Sequence, residues 1–117
     1  MGLFQWLEQL SGFHQEDGIR VPDASGSPTV RKRFRFIGRV QGVGFRYQAQ
    51  QAASVLGLTG WVKNEPDGTV SGEAEGPEAC VNEFLRALEA VPRFCVQEVR
   101  TEHLPPLGTE KTFRVVY

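Results

Sequence analysis

A chain of 117 residues is one domain by length and holds enough apolar side chains for an ordinary core without a staple. Its formal charge of −1 excludes a molecule built as a whole to coat a polyanion, and its two cysteines, Cys80 and Cys95, exclude a disulfide framework and lack metal-ligand spacing. No apolar run approaches the ~20 residues of a bilayer span, the start shows no secretory signal, and Trp6 stands where a myristoylation motif wants Ser or Thr, so a cytoplasmic protein with no membrane partner is expected.

Residues 1–28 read as an appendage. Leu3, Phe4, Leu7 and Leu10 recur at helical spacing with Trp6 beside them, Ser11-Gly12 ends the run, and residues 23–28 are a linker of turn formers. The regular pattern of a domain spans 29–117. Phe34 and Phe36 alternate with Arg33 and Arg35 in a first strand. Gly38, Gly42 and Gly44 break that regularity, and Phe45, Ala49, Ala52, Ala53 and Leu56 follow at helical spacing, with Gly57 at the helix stop. A strand over 59–64 and another over 69–75 flank the turn Glu65-Pro66-Asp67-Gly68 and form a hairpin. Gly76-Pro77 opens a second helix, with Pro77 in its first turn and Val81, Phe84, Leu85 and Leu88 as its apolar face. A soft-edged strand falls between 94 and 103, and Phe113, Val115 and Tyr117 alternate in a last one.

The order is β-α-β-β-α-β, with a split fourth strand or one extra short strand. Two helical crossovers and a central hairpin predict an α+β, ferredoxin-like sandwich. Its antiparallel sheet carries both helices on one face, because each helix has a single apolar stripe.

The cations cluster. Arg31, Lys32, Arg33, Arg35, Arg39 and Arg46 occur with no acidic residue between 31 and 46, a local field suited to a small anion. Within that stretch, residues 38–46 (Gly38, Arg39, Val40, Gln41, Gly42, Val43, Gly44, Phe45, Arg46) join the first strand to the first helix. Glycines there let amides point inward as a nest backed by the helix dipole, and Arg46 adds a planar fork that matches a phosphate. Phe45-Arg46 after Gly44 excludes a Walker loop, and Tyr47 in place of a third glycine excludes the dinucleotide fingerprint.

A second cluster, Gly60-Trp61-Val62-Lys63-Asn64 followed by Asp67-Gly68-Thr69-Val70 and Gly76, completes a pair of signatures. Together they resemble the acylphosphatase family, whose segments have the forms G-x-V-Q-G-V-x-F-R and G-[aromatic]-V-x-N-x-x-x-G-x-V. The resemblance covers about 31–117. It implies hydrolysis of a small-molecule acyl phosphate to a carboxylate and phosphate, with Arg46 holding the phosphate and Asn64 placing the water. It implies a cradle formed by Gly38, Arg39, Val40, Gln41, Gly42 and Val43, and neither metal nor cofactor. Gly44 departs from members with an aromatic side chain there, which loosens the cleft wall. No side chain that would sort one acyl group from another stands out.

His14 and His103 lack partners at ligand or triad spacing, and Glu73, Glu75 and Glu78 read as solvated. Trp61 reads as core or cleft wall, and Lys63 as part of an exposed strand face. The rival reading is a ferredoxin-like nucleic-acid binder, but the aromatic-rich RNP1 motif is missing and the helices need one sheet face, so no nucleic-acid partner is expected. A second rival, an interaction module without turnover, is disfavoured by the intact Arg46 and Asn64.

Overall fold

The computed structural model describes residues 18–117, so the helix expected over 3–10 and the histidine at 14 lie outside the described residues. The elements are β1 (Thr29–Gly38), α1 (Phe45–Leu56), β2 (Thr59–Asn64), β3 (Val70–Pro77), α2 (Glu78–Glu89), a 3-10 turn (Pro92–Phe94), β4 (Val96–Leu104) and β5 (Phe113–Val116). The last segment is therefore a separate short strand, not half of a split one. Among the described residues no helix is long and apolar enough to cross a membrane.

The strands form one sheet in the order β4-β1-β3-β2-β5. Three pairings are antiparallel as expected: β1 with β3, β1 with β4, and β2 with β3. The β2–β5 pair is parallel, so the sheet is mixed. The reason is directional. β4 runs opposite to β1, and residues 105–112 carry the chain to the far edge of the sheet. β5 leaves that connection running the opposite way to β4, and hence along β2.

Both helices cover one sheet face. Phe34 and Phe36 of β1 point into that layer, and a string of aromatic contacts links its elements. Phe34 packs on Phe84 with ring centroids 5.5 Å apart, Phe36 on Phe45 at 4.8 Å, Phe45 on Phe94 at 4.7 Å and Phe84 on Phe113 at 5.6 Å. Such tilted pairs add about 0.5–1.5 kcal/mol each to the area they bury. Phe45 is the first residue of α1, so its burial anchors the helix start that carries Arg46.

Pro77 differs from its expected place. With φ −55° and ψ 135° it is extended, so it ends β3, and α2 begins at Glu78. The amides that open α2 are met from upstream: the Pro28 carbonyl accepts from Glu78 N–H at 2.8 Å and Ser27 Oγ from Ala79 N–H at 3.0 Å. Farther along α2, Arg20 N–H donates to Glu83 at 2.7 Å and Arg86 donates to the Gly18 carbonyl at 3.2 Å. Residues 18–28, read as appendage and linker, thus strap the second helix.

Strand parity puts Arg31, Arg33 and Arg35 on the sheet face away from the helices, yet Arg31 is only 1 % exposed. Its guanidinium meets Glu73 at 2.7 Å, Glu75 at 3.1 Å and Glu110 at 2.6 Å. Glu75 also accepts from Leu107 N–H at 2.7 Å and Gly108 N–H at 2.9 Å. Glu75 is 8 % exposed, which corrects the solvated reading of the acidic run. The sequence spacing of these acids gave no hint of a clamp, because Glu110 and the 105–112 connection come from outside the strand. Trp61 also faces this side, beside Arg33, Arg35 and Arg100 in a depression on the sheet face away from the helix layer.

Burial pushes the Glu75 carboxyl up, but the two amides and Arg31 outweigh it and hold it below its ordinary 4.5. A depressed carboxyl contributes stability that is present above the unfolded value and lost as pH falls through the folded one. Glu75→Gln is therefore expected to lose about 2 kcal/mol at pH 7, on the scale of a charge-assisted bond. The deficit should shrink from pH 7 toward an acid pH below the depressed value of folded Glu75, where the parent carboxyl is itself protonated. Urea midpoints measured against pH check this; an equal deficit at both pH values would refute the clamp.

Candidate active site

The loop between β1 and α1 is shaped by contacts at both ends. At Gly38 the register with β4 shifts, and φ is 139°. A Cβ there would overlap the Cys95 carbonyl, so only glycine lets β1 approach the turn that precedes β4. Arg39 N–H then donates to that same carbonyl at 3.3 Å. Val40 and Phe45 are buried and fix the loop between them. Gly44 caps α1 in a left-handed conformation, φ 82°, and has no side chain with which to satisfy the helix's first amides. Those amides are left facing outward, with the positive end of the helix dipole behind them.

Arg46, on the first turn of α1, and Asn64, the last residue of β2, meet at one cleft of about 260 Å³. Val40, Gly42 and Gly44 of the loop line it, together with Tyr47, Gln50, Val115 and Tyr117. Asn64 shares strand parity with buried Val62, which turns it toward the helix layer. Arg46 is the one charged side chain in the lining. Among the described residues it has no carboxylate partner, and its guanidinium carbon lies 4.8 Å from the Tyr117 ring centroid. A guanidinium resting over a ring rather than on a carboxylate keeps its N–H groups available for an incoming anion. Among the described residues no group of three or more His, Cys, Asp or Glu side chains is placed to hold a metal ion.

Most of the described chain has counterparts among known proteins. The acylphosphatase family model matches residues 32–115. An acylphosphatase of Clostridium acetobutylicum is 43 % identical over 88 residues, covering 74 % of this chain and 97 % of the relative. One from Moorella thermoacetica is 47 % identical over 87 residues, covering 74 % and 92 %. The crystal structure of the Bacillus subtilis acylphosphatase superposes with a TM-score of 0.71 at 39 % identity, over 75 % of this chain and 99 % of that one. The chain belongs to the acylphosphatase family. It is accordingly a hydrolase of acyl phosphates with the ferredoxin-like fold.

Not every loop residue expected in this acylphosphatase's cradle has its side chain there. Of the six, Val40 and Gly42 line the cleft. Gly38 serves the close packing on Cys95, and Arg39 points to solvent with its amide already engaged. The Val43 carbonyl accepts from Arg93 Nε at 3.3 Å, which ties the loop to the 3-10 turn. Gln41 turns away toward the hairpin, donating from Nε2 to the Glu65 carbonyl at 2.7 Å and the Thr69 carbonyl at 2.9 Å. It therefore braces the loop against the turn that follows Asn64.

Misplacement by about 1 Å can lower a rate ~10²-fold. Gln41→Leu should reduce kcat/KM by about tenfold or more while lowering stability by no more than about 2 kcal/mol. Steady-state kinetics beside urea unfolding separate the two effects, and unchanged kcat/KM would show that the brace is structural only. Tyr47, Gln50, Val115 and Tyr117 were not singled out as cleft residues from sequence. Their only signal was position: Tyr47 directly after Arg46, Gln50 one helical turn on, and Val115 and Tyr117 on the alternating last strand.

Proposed function

We propose that Arg46 and the amides of the glycine loop hold the phosphoryl group, and that Asn64 orients the water that attacks it. The observation carrying this reading is that α1 and β2, separate in sequence, deliver Arg46 and Asn64 to one cleft beside Gly42 and Gly44. Water adds to phosphorus, the bond from phosphorus to the acyl oxygen breaks, and the carboxylate departs with that electron pair. The water's proton passes to a phosphoryl oxygen, and the products are a carboxylate and inorganic phosphate.

The sparse apparatus suits this chemistry. A carboxylate is a good leaving group and needs no strong acid. The transition state is largely metaphosphate-like, so positioning and charge stabilisation dominate. Loop amides and the Arg46 fork supply the charge stabilisation, and each well-aimed donor is worth ~10²–10³ in rate. The Asn64 carboxamide accepts from the water through its oxygen and leaves two N–H groups for the substrate. No step here calls for a metal ion or cofactor. The reading includes a cytoplasmic setting, supported by the free thiols of Cys80 and Cys95. It also takes 29–117 as the catalytic domain, with 18–28 as a strap on α2.

The test is phosphate release from benzoyl phosphate with and without EDTA. Turnover that survives chelation is the expected result. Loss of turnover with EDTA, restored by a divalent cation, would overturn the metal-free mechanism.

A further inference from the structure

The glycine loop is held by a turn that takes no part in the cleft. Gly38 packs on the Cys95 carbonyl at one end of the loop, and the Phe45 ring packs on Phe94 at the other, 4.7 Å between centroids. Between these ends, Arg93 Nε donates to the Val43 carbonyl at 3.3 Å. The Arg93 guanidinium carbon lies 4.9 Å from the Phe94 ring centroid, which steadies the donor. Residues 92–95 lead into β4, an edge strand beside β1, whereas Asn64 and Val115 lie on β2 and β5 at the other flank of the sheet. None of residues 92–95 lines the cleft, but Gly42 and Gly44 do.

Peptide planarity turns this tie into a direction. In a trans peptide the C=O and the N–H point opposite ways, and none of the described peptide bonds is cis. A Val43 carbonyl drawn toward Arg93 therefore sends the Gly44 N–H the other way, toward the flank that carries Asn64. Among the described residues nothing accepts from that N–H. Packing does not fix the peptide either, since a Cβ added at Gly42 or Gly44 would meet nothing within 4 Å. With glycine at position 44, ψ of Val43 and φ of Gly44 can rotate together at little steric cost and swing the N–H away.

We infer that Arg93 is a positioning residue for the reaction: by holding the Val43 carbonyl it keeps the Gly44 N–H aimed at the phosphoryl oxygens. The inference rests on the reading that the loop holds the phosphoryl group. Arg93 touches no reacting atom and acts only through the backbone, and an ionised donor makes the tie stronger than a neutral one.

Two variants separate aim from fold. Arg93→Met keeps an unbranched apolar stem beside Phe94 but has no donor, and Arg93→Lys keeps an ionised donor. Amide NMR of the parent titrated with inorganic phosphate is expected to move the Gly44 N–H downfield in a saturable way. In Arg93→Met that shift should fall by more than about half, kcat for benzoyl phosphate about tenfold and phosphate affinity about threefold, because the donor meets more charge in the transition state than in the product. Arg93→Lys should recover most of the shift and of kcat. Arg93 is exposed, and a retained amide spectrum shows that the methionine variant keeps the fold. A Gly44 shift equal in parent and Arg93→Met, or kcat unchanged by methionine, would overturn the positioning role and leave the cradle standing. No shift of any loop amide in the parent, with no inhibition by phosphate, would instead overturn the cradle reading and this inference with it.

Discussion

Arg46→Ala is expected to lower kcat/KM for benzoyl phosphate by ~10³-fold or more and to weaken inhibition by inorganic phosphate at the same time. Both effects come from one group. The guanidinium is the one charged side chain lining the cleft, and the described residues offer no second cation to take its place there. A bidentate, charge-assisted contact acts on ground state and transition state alike, so phosphate affinity must fall with rate. Arg46→Lys is a sharper variant of the same test. Lysine keeps the charge but loses the planar fork placed over the Tyr117 ring, so it should recover only a small part of the activity. Steady-state kinetics with phosphate as product inhibitor give both readouts. Phosphate affinity unchanged in Arg46→Ala would remove Arg46 from the cradle.

Asn64→Ala should separate the two effects that Arg46 joins. Its turnover is expected to fall ~10²–10³-fold, the range for loss of one well-placed polar group, while phosphate still competes with near-parental affinity. The physical reason is that a water-orienting group acts on the attacking molecule, whereas the phosphoryl oxygens remain held by the loop and Arg46. The substitution removes a side chain at a strand end that makes no hydrogen bond within the described residues, so the fold should be little affected. If phosphate affinity disappeared together with turnover, Asn64 would be a substrate contact and the water would be placed by another group.

Legibility in the sequence varied with the range of the contacts involved. The hairpin turn Glu65-Pro66-Asp67-Gly68, the glycine that stops α1 and the alternation of Phe34 and Phe36 are local effects of backbone freedom and period. Each element they mark lies within a residue or two of its expected place. Pro77 was misplaced by one position, because a proline at a strand–helix junction satisfies both readings until its ψ is known. The last strand was expected either as half of a split fourth strand or as an extra short one, and its parallel pairing was not expected. Strand direction depends on where the 105–112 connection crosses, which no periodicity records.

The same division runs through the site. The residues 38–46 and 60–76 disclosed the family and pointed to the loop and to Arg46 and Asn64 as candidates, since these are contiguous patterns of residue type. The outward turn of Gln41, the burial of Arg31 among three carboxylates and the meeting of Tyr47 with Val115 and Tyr117 all join segments far apart in the chain. Local chain chemistry specifies which elements form and which residues are able to do chemistry. Which neighbour each side chain finds, and so whether an arginine becomes a clamp or a phosphate fork, is settled only when folding closes the long loops and brings distant strands into register.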